Sequence, residues 1–491
     1  TQVEVLPTSS RVIFDEAHNL ESVATDQLGY EVSNFSFSEL RRTLGGDGRR
    51  RGLLDNLAAW ASEAHPGIAE QVAEPRRRLT AAVESLNDCA EEMQAAVIDL
   101  CVALDPEAGA GRARVRLGAE VYAAAEWQSV GEAVARLQDV LSDAEDALGE
   151  IAETLAEGSE RGTPESDLSL EAAGARVAVG ELNAAVGTVM DDDPGAGHVL
   201  WAETVQRRWG ELWRLAAAPI DVGPALQKAV YSKREAVVMT SATLTVEQRF
   251  DYMRQRLGLD DEAAPVRERM VASPFSYPDQ LLMCVPTDIP TRGEEGRREA
   301  LERALLDIVE VAGGGVLLLF TSRRQMERVF EQTRERMAQM GVSPICQYWS
   351  GPRSWLLAQL RERDNTVLFG LKSFWEGVDV PGQALRCVVI TKLPFAVPTD
   401  PIVQARCELA ASRGRDGGHD YYIPEAILGF KQGIGRLVRA TTDQGVVFVL
   451  DNRLLTRRYG RRFFASVPEG RVQVDDFHEC LREAERWLRW A

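Results

Sequence analysis

The chain has 491 residues, 45% of them hydrophobic, so it exceeds the size of a single core and predicts about three domains. No run reaches the roughly 18 apolar residues of a membrane span and no secretory leader is evident, which predicts a cytoplasmic protein without a membrane partner. The net charge of −19 is uneven, because residues 281–491 hold 30 basic against 27 acidic side chains and residues 1–280 hold 26 against 48, so a polyanionic partner would have to bind a local groove.

The first predicted element is a short strand, Val12 to Phe14, that ends in two adjacent carboxylates, Asp15 and Glu16. This β-branched and aromatic run is too short for a helix, which predicts a buried parallel strand with a helix after it. The carboxyl ends of parallel strands face the ligand crevice, where Asp15 could hold Mg²⁺ and Glu16 could orient or deprotonate a water. The alternative is a polar helix start capped by Asp15, and the four residues "DEAH" alone leave both interpretations open.

Residues 35–205 are rich in Ala, Glu and Leu and predict a helical insert. Two stripes of apolar residues recur at heptad spacing, which is typical of antiparallel helical hairpins that pack on one another. A partner-binding coiled coil is the alternative, but the short loops favour self-packing. The stripes are Val130, Val134, Leu137, Leu141, Ala144, Leu148, Ile151 and Leu155, and Leu79, Leu86, Met93 and Leu100.

Beyond residue 205 the pattern alternates between strand, loop and helix. Near-continuous apolar runs that end in small or polar residues predict a parallel sheet covered on both faces. We expect residues 206–280 to complete the domain that residues 1–34 begin, and residues 281–491 to form a second α/β domain. The apolar runs lie at 236–243, 315–322, 366–370, 385–395 and 445–451.

Hydroxyl side chains follow two of these strands. "TSATL" places Ser241 and Thr243 on the turn after a strand, where hydroxyls can relay between a phosphate site and a neighbouring domain. "FTSRRQ" places Thr321 and Ser322 before a helix, and hydroxyls and helix N-termini both bind phosphate. An ordinary hydroxyl-capped turn would explain either motif taken alone.

The segment "SFWEGVDVPG" predicts a tight loop that carries Gly377 and Asp379. Its aromatic residues, Phe374 and Trp375, could stack on a base or lie in the core, and we expect core for at least one of them.

The segment "QGIGRLVRA" begins with Gln432 and Gly433 and places Arg436 and Arg439 three residues apart, on one predicted helix face. Two guanidinium groups beside a flexible glycine-containing start suit the developing charge on a transferred phosphoryl group. A surface salt-bridge network is the alternative, but it would not explain the glycines.

The order of these motifs resembles that of the superfamily two helicases, in which "DEAH", "SAT", "FTS", "EGVDVPG" and "QGIGRLVR" correspond to motifs II to VI. The intervening segments "MVASPFSY", "TKLPFAVPTDP", "PEAILGFKQGIGRLVR" and "DNRLLTRRYGRRF" resemble the bacterial DinG branch of the DinG and XPD-like family. The resemblance covers residues 10–34 and 206–491, and it covers the helical block by position only.

This resemblance implies an α/β protein with two RecA-like parallel-sheet motor domains, the first incomplete, and an all-α arch-like insert. It further implies an ATP- and Mg²⁺-dependent helicase that moves 5′ to 3′ on single-stranded DNA and unwinds duplexes and forks. By analogy, Asp15 would bind Mg²⁺ and Glu16 would activate water. The remaining implied roles are nucleotide binding for Gln432, Gly433, Gly377 and Asp379, γ-phosphate contact for Arg436 and Arg439, coupling for Ser241 and Thr243, and DNA binding for Thr321 and Ser322.

The sequence contains no GxxxxGK[ST] loop to cradle the phosphates. In the resembling family this loop, and in many members four cysteines that hold an iron–sulfur cluster, precede "DEAH", so we expect Thr1 to fall inside the first motor domain and any cluster to lie upstream. The seven cysteines present are scattered without a CxxC pair. A monomeric helicase that lacks its Walker A segment, inactive alone, is one hypothesis, and a non-catalytic DNA-binding or scaffolding remnant is the other.

Overall fold

The structure is a computed structural model that describes the following residues: 9–63, 66–105, 112–157, 159–190, 197–207, 210–260, 265–290, 296–375, 377, 380 and 382–489. The chain forms two compact units. One consists of Thr1–Glu21 with Gly223–Ala491, and the other of Ser22–Val222. We call them the motor unit and the inserted unit.

Both units contain strands and helices of different lengths. In chain order the strands are β1 Arg11–Phe14, β2 Tyr30–Ser33, β3 Arg112–Arg116, β4 His198–Arg207, β5 Gly210–Pro219, β6 Ala236–Met239, β7 Leu281–Pro286, β8 Val316–Leu319, β9 Ser343–Cys346, β10 Thr366–Gly370, β11 Cys387–Ile390, β12 Gly445–Val449 and β13 Arg471–Asp475. The helices are α1 Leu20–Gln27, α2 Asn34–Gly45, α3 Leu53–Glu63, α4 Pro66–Leu104, α5 Ala119–Tyr122, α6 Ala125–Ala156, α7 Pro164–Val189, α8 Gly223–Ala229, α9 Asp251–Arg256, α10 Tyr277–Gln280, α11 Arg297–Ala312, α12 Arg323–Gln339, α13 Arg353–Glu362, α14 Lys372–Trp375, α15 Pro401–Ser412, α16 Ile423–Ile434, α17 Arg453–Thr456, α18 Gly460–Ser466 and α19 Phe477–Arg489. Of the helices in the described ranges, none combines the length and apolar character needed to cross a membrane.

A parallel sheet forms the core of residues 281–489. Within the described residues it has seven strands in the order β13-β7-β12-β11-β8-β10-β9, and every neighbouring pair is parallel. The central strands β8, β11 and β12 are buried along their whole length, which explains their unbroken apolar sequences. The predicted α/β class with a parallel sheet is confirmed.

A run of three glycines joins α11 to β8. Gly313, Gly314 and Gly315 all have positive φ, at 67°, 124° and 59°. A Cβ on Gly314 would lie 2.4 Å from the Cα of Asn365, so only glycine lets the chain turn this closely against the start of β10. The turn leads directly into β8, which lies between β11 and β10 in the sheet.

The strand that precedes the acidic pair is parallel, as predicted, but it is not buried. Strand β1 pairs with β6, Arg11 opposite Ala236 and Phe14 opposite Met239. In this two-stranded pair, the side chain of Ile13 is 70% exposed, because no further strand of the described chain extends the pair. The prediction of a buried strand is wrong for the described residues.

The inserted unit is built around long helices. Helix α6 packs against both α4 and α7, and the two predicted heptad stripes lie along α6 and α4. Every residue of both stripes is buried in one continuous apolar core. The prediction of packed helical hairpins is confirmed.

The inserted unit also contains a sheet, so the expectation of an all-α insert needs correction. Strands β2, β5, β4 and β3 form an antiparallel sheet in that order, and β4 and β5 pair along ten residues. The carboxylate of Glu203 on β4 is buried and contacts Arg114 at 2.9 Å and Arg214 at 2.7 Å, so paired charges stabilise the sheet. The sequence did not predict these strands, because β5 is rich in alanine and alanine is typical of helices. The domain boundaries at residues 34, 205 and 280 stay a prediction.

Candidate functional site

The acidic pair lies where β1 ends, against the turn that follows β6. Thr240 donates its hydroxyl to Asp15 Oδ1 at 2.7 Å, and the N–H of Glu16 donates to the same oxygen at 3.0 Å. These two hydrogen bonds hold the pKa of Asp15 below its usual range, so the carboxylate stays ionised. Backbone hydrogen bonds from Thr240 N to Phe14 O and from Ala17 N to Thr240 O join the two segments as well.

Glu16 has a left-handed backbone, with φ 50° and ψ 42°. Ser241 donates its hydroxyl to Glu16 Oε2 at 3.0 Å, and the same Ser241 Oγ lies 2.7 Å from Nδ1 of the buried His18. Thr243 joins the cluster through its N–H, which donates to Ser241 Oγ at 3.1 Å. The structure thus brings the two predicted coupling residues, Ser241 and Thr243, together with the predicted catalytic carboxylates.

The acidic pair has the chemistry of a magnesium site. Asp15 is solvent-exposed and ionised, and Thr240 adds a hydroxyl oxygen beside it. Mg²⁺ prefers hard oxygen ligands, and proteins commonly hold it through one or two carboxylates. The residues present therefore fit this ion. At this site, as in the rest of the described residues, no group of three or more His, Cys, Asp or Glu side chains is arranged to hold a metal.

The arginines of "QGIGRLVRA" lie beyond a helix rather than on one. Helix α16 ends at Ile434, and the N–H of Arg436 turns back to Gly433 O. Asp443 accepts the N–H groups of Arg439 and Ala440 at 2.8 and 2.7 Å, which holds this segment in a tight turn. The prediction that Arg436 and Arg439 share a helix face is wrong, because these hydrogen bonds to Asp443 replace the next helical turn.

Gln432 and Gly433 are buried in the last turn of α16. A Cβ on Gly433 would approach the Trp375 ring to 2.9 Å, so this glycine allows close packing of α16. Phe374 and Trp375 are both buried, which confirms the expectation of a core role for at least one of them. Gly377 has φ 63° and its carbonyl accepts a hydrogen bond from Arg353 at 3.0 Å. The predicted Asp379 lies outside the described residues.

A half-buried lysine connects α16 to the segment after β6. Lys431, the neighbour of Gln432, donates from Nζ to Thr245 O at 2.7 Å and to Thr245 Oγ1 at 3.3 Å. Thr245 is two residues from Thr243, so a single side chain links the acidic cluster to the segment that carries Arg436. Burial lowers the pKa of Lys431 to about 8.

A second set of buried polar contacts reinforces this connection. Glu21, five residues after Glu16, accepts hydrogen bonds from Arg256 of α9 and pairs with Arg406 of α15 at 2.9 Å. All three side chains are largely buried, and such charges are retained in an interior only when they are paired. The hydroxyl of Tyr252 donates to Glu425 at 2.9 Å, which ties α9 to α16.

A basic cavity of about 710 Å³ opens beside the carboxyl ends of β8, β11 and β12. Ser322 lies in its lining and caps α12, since its hydroxyl accepts the N–H of Gln325 at 3.4 Å. Thr321, next to it, is exposed. The cationic side chains of the lining are Arg297, Arg298, Arg324, Arg328, Lys392 and Arg453.

Sequence reasoning missed several residues of these networks, among them His18, Thr240 and Lys431. His18 and Thr240 lie inside the segments "DEAH" and "MTSAT". Their position next to the predicted site residues could have indicated that they belong to the site. Lys431 directly precedes Gln432, but no sequence pattern indicates that its ammonium group turns toward Thr245.

Comparisons with known proteins find similarity to helicases and related proteins. Residues 305–470 match the helicase C-terminal domain family. The chain is 38% identical over 272 residues to the ATP-dependent DNA helicase YoaA of Haemophilus influenzae, an alignment that covers 55% of this chain and 41% of YoaA. It is 33% identical over 282 residues to the 3′-5′ exonuclease DinG of Bacillus subtilis, covering 57% of this chain and 30% of that protein. It is 36% identical over 276 residues to the ATP-dependent helicase DinG of Mycobacterium tuberculosis, covering 56% of this chain and 41% of that protein.

The matched region thus spans about two fifths or less of the length of these curated relatives. Among solved structures, XPD_APO gives a TM-score of 0.54 at 13% identity and covers 96% of this chain and 79% of that one. XPD_Helicase gives a TM-score of 0.51 at 13% identity and covers 94% of this chain and 68% of that one. At this identity the likeness concerns the fold alone. Together these comparisons confirm the resemblance that the motifs predict.

Proposed function

Because the chain is related to the DinG-type, XPD-like helicases of superfamily two, we propose that it supplies most of the motor of an ATP-dependent DNA helicase. The proposed substrates are ATP with Mg²⁺ and single-stranded or forked DNA. Movement from 5′ to 3′, duplex unwinding, a monomeric state and a cytoplasmic location belong to the same proposal and rest on the family resemblance.

The observation that carries the proposal is the hydrogen-bonded cluster around the acidic pair. Asp15 and Glu16 each accept a hydroxyl from the turn after β6, namely from Thr240 and Ser241. A polar helix start would need only one capping contact. Two adjacent carboxylates, each fixed by a separate hydroxyl at the end of parallel strands, fit a phosphoryl-transfer site.

Each residue has a defined part in this proposal. Asp15 holds Mg²⁺, and the ion, when bound, neutralises charge on the phosphate oxygens. Glu16 orients the attacking water and accepts its proton, while the hydroxyl of Ser241 keeps the Glu16 carboxylate in place. Gln432, Arg436 and Arg439 face the γ-phosphate, with Gly433, Gly377 and Asp379 shaping the nucleotide site. The arginines stabilise the charge that develops there.

The contact between Lys431 and Thr245 offers a route for coupling. A displacement of α16 when Arg436 and Arg439 meet the nucleotide would pull on Thr245 and so on the turn that contains Ser241 and Thr243. This supports the coupling role proposed for these two hydroxyl residues.

The proposed DNA contacts lie at the basic cavity. Ser322 stands at the N-terminus of α12, where backbone N–H groups and the helix dipole favour a phosphate, and Thr321 offers an exposed hydroxyl next to it. Arg298, Arg324 and Lys392 line the same cavity and would neutralise backbone phosphates.

The test compares ATP turnover, with and without single-stranded DNA, of this chain and of an extended protein. The extended protein is the chain joined to a first-motor segment that carries a GxxxxGK[ST] loop. We expect DNA-stimulated hydrolysis from the extended protein and none from the chain alone, because phosphoryl transfer requires a nucleotide held in position. An extended protein that binds ATP but hydrolyses none would favour the scaffolding alternative.

A further inference from the structure

A loop with exposed aromatic side chains follows the edge strand β9. In this segment, which we call the aromatic loop (residues 347–352), Tyr348 is 60% exposed and Trp349 46%, and Trp355 in the first turn of α13 is 41% exposed. Single exposed apolar side chains are common on protein surfaces, but three large rings within eight residues are not explained by chance exposure. Aromatic rings are enriched where proteins bind partners.

The aromatic loop is held firmly by polar contacts. Gln347 donates from Nε2 to Ser373 Oγ at 3.0 Å and accepts the N–H of Leu371 at 2.8 Å. The hydroxyl of Ser350 accepts the N–H of Cys346 at 2.9 Å. These contacts fix the loop before any ligand binds, so exposure of its rings is a property of the folded chain and not of a loose segment.

Tyr348 occupies a strained conformation. Its φ is 71°, a left-handed value that is unfavourable for a bulky residue and that occurs in functional loops when the surrounding structure enforces it. The guanidinium of Arg323 lies 4.6 Å from the centre of the Tyr348 ring, while its Nε is paired with Glu327. Trp349 packs edge-on against Phe330, which leaves the remainder of its ring to solvent.

The sheet order places this loop beside the proposed DNA contacts. Strands β8, β10 and β9 are consecutive neighbours and parallel, so the residues after them meet at one edge of the sheet. Ser322 follows β8, Lys372 follows β10, and Tyr348 and Trp349 follow β9. Hydroxyl, cationic and aromatic side chains therefore succeed one another along this edge.

We propose that the aromatic loop is a stacking platform for the bases of single-stranded nucleic acid, with Trp349 and Tyr348 as the stacking residues. The proposal rests on the proposed function and extends it from backbone phosphates to bases. The cation beside the Tyr348 ring, Arg323, favours this ligand over an apolar protein segment. Arg323, and Lys372 after the neighbouring strand β10, would meet phosphates of the strand whose bases contact the rings.

The test measures equilibrium binding of the 491-residue chain to oligothymidylate and to an abasic oligonucleotide of equal length. We expect the chain to bind oligothymidylate more tightly, and Trp349→Ala to weaken that binding roughly 5- to 100-fold while leaving abasic binding unchanged. The dependence of log affinity on log salt should keep its slope, since no phosphate contact is removed. Trp349→Phe should retain most of the affinity, and Tyr348→Ala should repeat the loss.

Val474→Ala provides the control, because Val474 is exposed on β13, at the opposite edge of the sheet. Unchanged oligothymidylate binding in both Trp349→Ala and Tyr348→Ala would overturn the proposal, and so would an equal loss on the abasic strand. Wild-type binding to both oligonucleotides with equal affinity would overturn the stacking platform and leave the proposed helicase function intact. Wild-type binding to neither would refute both.

Discussion

Glu16 and Tyr348 share an unusual backbone, since both are non-glycine residues with left-handed φ, at 50° and 71°. Such a conformation is unfavourable and persists only where neighbouring contacts enforce it. At Glu16 the hydroxyl of Ser241 and the ring of His18 do so. Glu16 lies in the proposed hydrolysis site and Tyr348 in the proposed stacking platform. The other two described non-glycine residues with positive φ, Glu247 and Gln248, lie between β6 and α9.

Arg439 should be essential for turnover but not for DNA binding. In the extended protein we expect Arg439→Ala to lower DNA-stimulated ATP hydrolysis by roughly 10³-fold or more, because removal of an arginine finger leaves the charge of the transition state uncompensated. Steady-state hydrolysis and DNA affinity are measured on the same preparation. Arg486→Ala, which removes an exposed guanidinium from α19, is the matched control. Equal turnover of the two variants would contradict the role given to Arg439.

The spacing of apolar residues predicted the helices and strands better than the chemistry of single side chains did. The heptad stripes predicted α4 and α6 because apolar residues at that spacing can only be buried together on one helix face. Unbroken apolar runs predicted the central strands for a similar reason. The end of α16 was not predicted, because it depends on the side chain of Asp443. This carboxylate accepts the N–H groups of Arg439 and Ala440, and the chain turns there instead of continuing as a helix.

The pairing of strands that lie far apart in the chain could not be predicted from the sequence either. Strand β2 pairs with β5 across more than 170 residues, and no local pattern indicates that Tyr30 lies opposite Ala217. The acidic pair could be found from its place at the end of a strand. Its hydroxyl partners could be predicted only as a motif, because their hydrogen bonds join positions 225 residues apart.

The burial of Lys431 should make stability depend on pH. The pKa of Lys431 is about 8 in the folded chain and about 10.4 in an unfolded one, so between these values the unfolded state binds the extra proton. The free energy of unfolding should therefore rise with pH in that window. Relative to Lys431→Met, we expect the wild type to gain about 1 to 2 kcal/mol between pH 7 and pH 9.5.

Urea unfolding at the two pH values measures this difference. Lys228→Met, which removes an exposed ammonium group from α8, should show the same pH dependence as the wild type. A wild type that gains no stability relative to Lys431→Met would mean that the ammonium group is not desolvated.

At the scale of the whole molecule, each compact unit carries its own core. The inserted unit buries the stripes of α4 and α6 together with residues of its antiparallel sheet, and the motor unit buries the parallel sheet beneath its helices. Separate cores allow one unit to be changed without unfolding the other.

Removal of the inserted unit should separate hydrolysis from unwinding. If residues 22–222 of the extended protein are replaced by a flexible Gly/Ser linker, we expect unwinding of forked DNA to fall much more than DNA-stimulated ATP hydrolysis. The acidic cluster and the arginine segment both belong to the motor unit, so the proposed chemistry remains. Loss of hydrolysis in a folded variant would show that the inserted unit takes part in nucleotide chemistry.

Glu16→Gln in the extended protein tests whether the acidic pair at the end of β1 performs hydrolysis. The amide keeps the size of the side chain but cannot accept a proton from water, so we expect DNA-stimulated turnover to fall by roughly 10²- to 10⁴-fold with ATP and DNA binding retained. Glu235→Gln, which changes an exposed carboxylate beside Arg11 at the start of the same strand pair, should leave turnover unchanged. Wild-type turnover in Glu16→Gln would show that Glu16 does not activate the attacking water.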